Sequence, residues 1–209
     1  MVVVLAFAPA AKAADEDPLV APANRLAADD PAWKELAGGL QQRPSVTADF
    51  TELRRFSFKK SPIVLKGEVR VSAEHGLSLH YLEPTEQTVI NDETGVLVRT
   101  AKGDRRPPSE PEATAANHAM LAVLRLDLRP LAETFELYGR RNGPAWSLAL
   151  VPRAAELRRT LGQITVEGEG AIVRRIEFRR SLTQRVEILV ELPRSLASFS
   201  TDELRRFFR

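Results

Sequence analysis

The sequence predicts an α+β protein made mostly of antiparallel β-structure, about ten strands curled into a barrel or half-barrel with helices laid over it. Three observations predict it. Short segments alternate apolar and polar residues with period two, and turn signals separate them. The strands follow one another with no βαβ rhythm. The most strongly helical stretch is apolar nearly all round, so it needs cover on more than one side.

In chain order, Val2 to Ala11 is a short apolar run, too short to span a bilayer. Ala11-Lys12-Ala13-Ala14 after it has the small-x-small pattern of a signal-peptidase site. Residues 1–14 are therefore expected to be a signal peptide and the protein to be exported, although a basic n-region is missing. Residues 15–30, rich in Asp, Pro and Ala, are expected to form a flexible lead-in. Residues 31–209 are expected to form a single domain. Asp30-Pro31 is a helix start, with a capping carboxylate before proline at the first helical position. Trp33, Leu36, Ala37 and Leu40 then form one apolar stripe, and Gly38-Gly39 weaken the helix end.

Ser45 to Pro84 reads as three strands punctuated by Ser61-Pro62 and His75-Gly76. Val46, Ala48 and Phe50 project to one face; Gly67, Val69 and Val71 repeat the pattern, and so do Leu77, Leu79 and Tyr81. Gln87 to Asn91 and Val96 to Thr100 form a hairpin. Ala101 to Glu112 is a charged, proline-bearing loop, and Ala113 to Leu126 is the all-round apolar helix. Residues alone leave two roles for that helix: an ordinary core element, or a lid over a barrel mouth.

The second half returns to strands at Phe135–Arg140, Trp146–Val151, Gln163–Glu169, Ile172–Arg180 and Arg185–Leu192, with a short amphipathic turn at Ala154, Leu157 and Leu161. Thr201 is expected to cap a last helical turn. Inward apolar residues of a small barrel are either a filled core or the wall of a cavity, and composition does not distinguish the two.

Chemistry is sparse. The formal charge of +2 argues against a dedicated nucleic-acid binder, and cysteine is absent, which removes disulfides and thiolate sites. His75, His80 and His118 fall in no metal-binding or nucleophile motif, and no phosphate-cradling glycine loop occurs. No catalytic residue, metal site or cofactor is expected. Doubled cations recur: Arg54-Arg55, Lys59-Lys60, Arg105-Arg106, Arg140-Arg141, Arg158-Arg159, Arg174-Arg175, Arg179-Arg180 and Arg205-Arg206. They are either a solvated surface whose stems cover apolar rims, or in part a rim that attracts anionic lipid headgroups or an acidic partner.

The order of parts resembles the periplasmic outer-membrane lipoprotein carrier family LolA. Phe50-Thr51-Glu52 stands where that family often has Phe-Thr-Gln, a glycine-containing strand follows, and the next strand closes on Glu83-Pro84. The resemblance covers roughly Trp33 to Leu192. It implies an open half-barrel with a helical lid, as in LolA and LolB, and a periplasmic carrier that takes acyl chains of a lipoprotein or other lipid to the outer membrane. It further implies an inner-membrane donor and an outer-membrane acceptor, with the carrier itself a monomer that is not an enzyme. Val46, Phe50, Val69, Val71, Leu77, Leu79, Tyr81, Trp146, Leu148 and Leu150 are then expected to line the cavity, and Met120, Leu121 and Leu124 to face it from the lid. The chain departs from the family at Val71-Ser72-Ala73-Glu74-His75, where a lid-locking Arg-Pro element is usual, so it resembles a divergent branch. The alternative is a non-transporting sensor or adaptor on the same half-barrel, as in RseB-like stress regulators.

Overall fold

In the computed structural model, which describes residues 17–42, 45–106, 118, 121–123 and 127–209, the alternating segments pair into one antiparallel sheet. Its strands are β1 (Ser45–Arg55), β2 (Ile63–Ser72), β3 (Gly76–Glu83), β4 (Gln87–Asp92), β5 (Gly95–Thr100), β6 (Gly103–Arg105), β7 (Phe135–Asn142), β8 (Ala145–Pro152), β9 (Gln163–Glu169), β10 (Ile172–Arg179) and β11 (Arg185–Leu196). Their spatial order is β6-β5-β4-β3-β2-β1-β11-β10-β9-β8-β7, and the sheet stays open. Two meanders of sequential hairpins thus meet at one long-range seam, β1 against β11. The eleventh strand, β6, comes from the stretch expected to be all loop, where Gly103 at φ +113° turns the chain back onto β5.

Register puts the apolar members of each strand on one face. Ala48 stands opposite Val69, which stands opposite Leu79. On the other side of the seam Ile188 faces Ile176, then Val166 and Leu148 follow in the same row. Helix α1 (Pro31–Gln41) lies over this concave face. The Asp30 carboxylate starts it by accepting the amide N–H groups of Ala32 and Trp33 at 3.0 and 3.2 Å. Trp33, Leu36 and Ala37 are buried in the main core, joined there by Val123 and by Leu128 and Leu131 of α2 (Leu128–Thr134) and Leu157 of α3 (Ala155–Leu161). Of the expected all-round apolar helix, His118 and residues 121–123 are described and helical. Leu121 and Val123 are buried, while Met120 and Leu124 lie outside the described residues, as does the signal-peptide stretch 1–14.

The two terminal segments cover the convex face. The stretch expected to be a flexible lead-in instead makes two 3-10 turns, Pro18–Val20 and Pro22–Asn24, and Leu19 packs on Tyr138 and Ala149. Asp17 fastens it, accepting hydrogen bonds from Gln163 Nε2 and Arg179 Nη2, both at 2.7 Å. Composition suggested flexibility there, but Leu19 and Asp17 dock the strap, and beyond it Arg25 bridges to Tyr138 and the Leu26 N–H donates to the Leu137 carbonyl at 2.8 Å. At the other end α4 (Thr201–Phe207) is capped by Ser200 rather than Thr201, in a reciprocal capping box with Glu203. Phe207 and Phe208 pack on His80 and His75, and the Arg70 guanidinium lies 3.6 Å from the Phe207 ring centre. Arg99 donates to the carbonyls of Arg205, Arg206 and Phe208, which satisfies the helix C-terminus.

Candidate functional site

On the concave face, where the seam strands meet β2, β3 and β10, side chains fail to fill the space. A cavity of about 110 Å³ remains. β1 contributes Val46 and Ala48, β2 Val69 and Val71, and β3 Leu77 and Leu79. β10 adds Ile172, Val173 and Ile176; β11 adds Ile188, Val190 and Pro193; Ala171 and Leu40 of α1 complete the wall. Every lining residue is apolar. A cavity with no polar partner for water excludes it and suits an apolar guest; one of about 150 Å³ lined by Leu, Ile and Phe stays dry and takes up benzene.

Of the residues expected from the sequence to line a cavity, Val46, Val69, Val71, Leu77 and Leu79 border this one. Trp146, Leu148 and Leu150 do not. They are buried in the solid part of the core beneath α1 and α2. The physical reason is tertiary: a side chain at Gly168, directly across from Trp146, would collide with the Trp146 ring, and one at Gly139 would collide with Trp33. Two glycines thus let two indoles lie against the sheet, edge to face with centroids 6.1 Å apart. Trp146 Nε1 donates to the Gly170 carbonyl at 2.8 Å, which fixes the ring. Phe50 and Tyr81 also pack into the core, edge to face at 5.2 Å.

Tyr81 has a polar reason to stay there. Its hydroxyl donates to Glu52 Oε2 at 2.6 Å, and Arg54 Nε donates to the other Glu52 oxygen. Burial, together with the adjacent Glu52 carboxylate, pushes the phenol well above its usual range, so it remains a donor. This buried pair interrupts the apolar surface two residues along β1 from Phe50.

Sequence reasoning missed the cavity wall supplied by β10, β11 and α1. The alternation Ile188, Val190 was visible as a signal, but nothing in the sequence shows that β11 lies beside β1. Among the described residues no group of His, Asp and Glu side chains is placed to hold a metal ion. His80 is buried with Nδ1 3.0 Å from Thr88 Oγ1, on the opposite face of the sheet from the cavity.

The family of outer membrane lipoprotein carrier protein LolA-like sequences matches residues 26–192. No curated protein matches the chain. Among solved structures, the MucA/MucB complex of Pseudomonas aeruginosa matches at 15% identity and a TM-score of 0.46, over 83% of this chain and 59% of that chain. The chain therefore spans less than two thirds of that neighbour's length. A DUF1329 family protein from Desulfovibrio piger matches at 12% identity and a TM-score of 0.44, over 83% of this chain and 95% of that one. A LolA superfamily protein from Nitrosomonas europaea matches at 6% identity and 0.42, over 82% and 94%.

Proposed function

We propose that this chain, which belongs to the outer membrane lipoprotein carrier protein LolA-like family, is a periplasmic carrier that shelters acyl chains of a lipoprotein or other lipid on the concave face of its sheet and delivers them to the outer membrane. The observation that supports this best is the apolar cavity of about 110 Å³ at the seam, walled without a single polar side chain. Moving an acyl chain out of a membrane into water costs about 0.8 kcal/mol per methylene. An apolar surface offered by the carrier offsets most of that cost, with no covalent step required.

The resting cavity is smaller than a whole acyl chain, so loading needs the helices over the sheet to move. Helix α1 is suited to this at its cavity end, where Leu40 borders the void and Gly38-Gly39 weaken the last turn. A weak, shape-tolerant hold also suits a carrier, which must grip its cargo less tightly than the acceptor does.

Lipid extraction of protein purified from its own periplasm tests the reading. Retained acyl cargo, and competitive uptake of a fluorescent fatty acid by the stripped protein, are the expected results; a protein that neither retains nor takes up acyl groups overturns it. The second reading is a sensor or adaptor that engages a lipid tail without carrying it. The small cavity beside a solidly packed half favours it, and a tight complex with a membrane-anchored protein that survives lipid removal would select it.

A further inference from the structure

β1, β10 and β11 run between two different ends of the concave face. At the end opposite the apolar cavity, at the margin of the sheet, they border a second pocket of about 300 Å³, lined by Arg54 from the concave side, by Arg55 and Arg185, which alternate to the other side, and by Arg180, around one carboxylate, Glu52. That carboxylate is already engaged by Arg54 and Tyr81. Among the described residues, Arg55, Arg180 and Arg185 have no ion-pair partner of their own. Arg55 stands directly opposite Arg185 in the β1–β11 register, an arrangement that destabilises the pair by repulsion. The Nε groups of both are closed off from solvent and find no acceptor among the described residues. A buried donor without an acceptor is costly, and in both residues the rest of the half-buried guanidinium stays open to the pocket. Free guanidinium donors converging on one pocket suit an anion with several acceptor oxygens, and guanidinium groups match phosphate in shape and charge.

The surroundings point to where that phosphate comes from. The β1–β2 loop (56–62) and the β10–β11 loop (180–184) leave the sheet at this end. At their tips Phe58 and Leu182 are 78% and 66% exposed, and Lys59 and Lys60 follow Phe58 in the open. Exposed apolar tips among lysines fit the interface of a membrane with anionic headgroups.

We propose that the four-arginine pocket binds the phosphate-bearing headgroup of a lipid whose tail occupies the concave face. The tail half of this statement rests on the carrier reading above; the headgroup half rests on the pocket. Titration calorimetry with oleoyl lysophosphatidic acid, monooleoylglycerol and glycerol phosphate separates them, using the wild-type chain and the double variant Arg55→Gln/Arg185→Gln. That variant removes two facing cations, so its thermal midpoint is expected to hold or rise. The expected result is binding of lysophosphatidic acid about tenfold or more tighter than monooleoylglycerol, with the preference lost in the variant. Equal binding of the two lipids leaves the acyl shelter standing and overturns the headgroup site. Binding of glycerol phosphate alone, lost in the variant, keeps the anion site with a soluble source and overturns the tail. Binding of none overturns both.

Discussion

Leu148 and Val71 belong to the same concave face and come from strands of the same alternating pattern, yet one is sealed and the other borders a void. In the β7–β9 region, Phe135, Leu137, Leu148, Leu150, Ile164 and Val166 are all at most 3% exposed beneath Trp33, Leu128 and Leu131. At the seam, Val46, Ala48, Val69, Val71, Ile188 and Val190 border the void across β1, β2 and β11, and from the helices above only Leu40 joins them. The difference teaches that strand alternation chooses which face is apolar, while bulky residues and the helices over them decide whether that face is filled.

The sharpest way to break the comparison is truncation on each side. Leu150→Ala is expected to cost about 2–5 kcal/mol, because it leaves a hole in a close-packed region. Val71→Ala, beside an existing void, is expected to cost far less; equal costs in denaturant titrations would erase the distinction. Overfilling comes next. Leu150→Phe is expected to destabilise by about 1–3 kcal/mol, whereas Val190→Phe should change stability little and abolish uptake of a fluorescent fatty acid. Unimpaired uptake by a folded Val190→Phe protein would show that guests bind elsewhere.

Smaller effects test whether the difference is confined to the concave face. Gly38 has open space around its Cα, so Gly38→Ala should stabilise α1 by up to about 1 kcal/mol and slow loading. Stopped-flow uptake checks this, and an unchanged rate would remove α1 from the gate. On the convex face, burial holds the His80 imidazole below its ordinary value of 6.5, with Arg206 and Arg70 adding to the effect against Glu86. The folded state therefore favours neutral His80. Its contribution to stability is complete above pH 6.5 and is lost as pH falls through the lower folded value. Hydrogen exchange of α4 should accelerate over that acidic window in the wild type and not in His80→Gln, while amides of β8 stay protected in both.

Much of the sheet was legible because period-two alternation and turn residues are local. Gln163–Glu169 is a strand with the bounds its sequence suggests, and the hairpins β7–β8 and β9–β10 turn at Asn142-Gly143 and at Gly168-Glu169-Gly170, residue types that favour turns. Five of the residues singled out in the sequence border the void at the seam. Val46, Val69, Val71, Leu77 and Leu79 sit on β1–β3, whose pairing is sequential and so foreseeable. Trp146 lies apart from the void because its position depends on Gly168 on the neighbouring strand and on Trp33 from a distant helix. The Glu52–Tyr81 bond, twenty-nine residues apart in sequence, and the Arg55–Arg185 juxtaposition were beyond reach for the same reason. Each is a product of tertiary register rather than of any short motif.

The seam between β1 and β11 has a kinetic consequence. Residues 45–55 must find residues 185–196, so the centre of the sheet joins segments synthesised far apart in time. Closing so long a loop is entropically slow, and the first meander, once made, still presents an unpaired strand border until its partner arrives. Whatever hosts this chain during biogenesis must tolerate that delay, and a sticky nascent half is the stage at which aggregation would start.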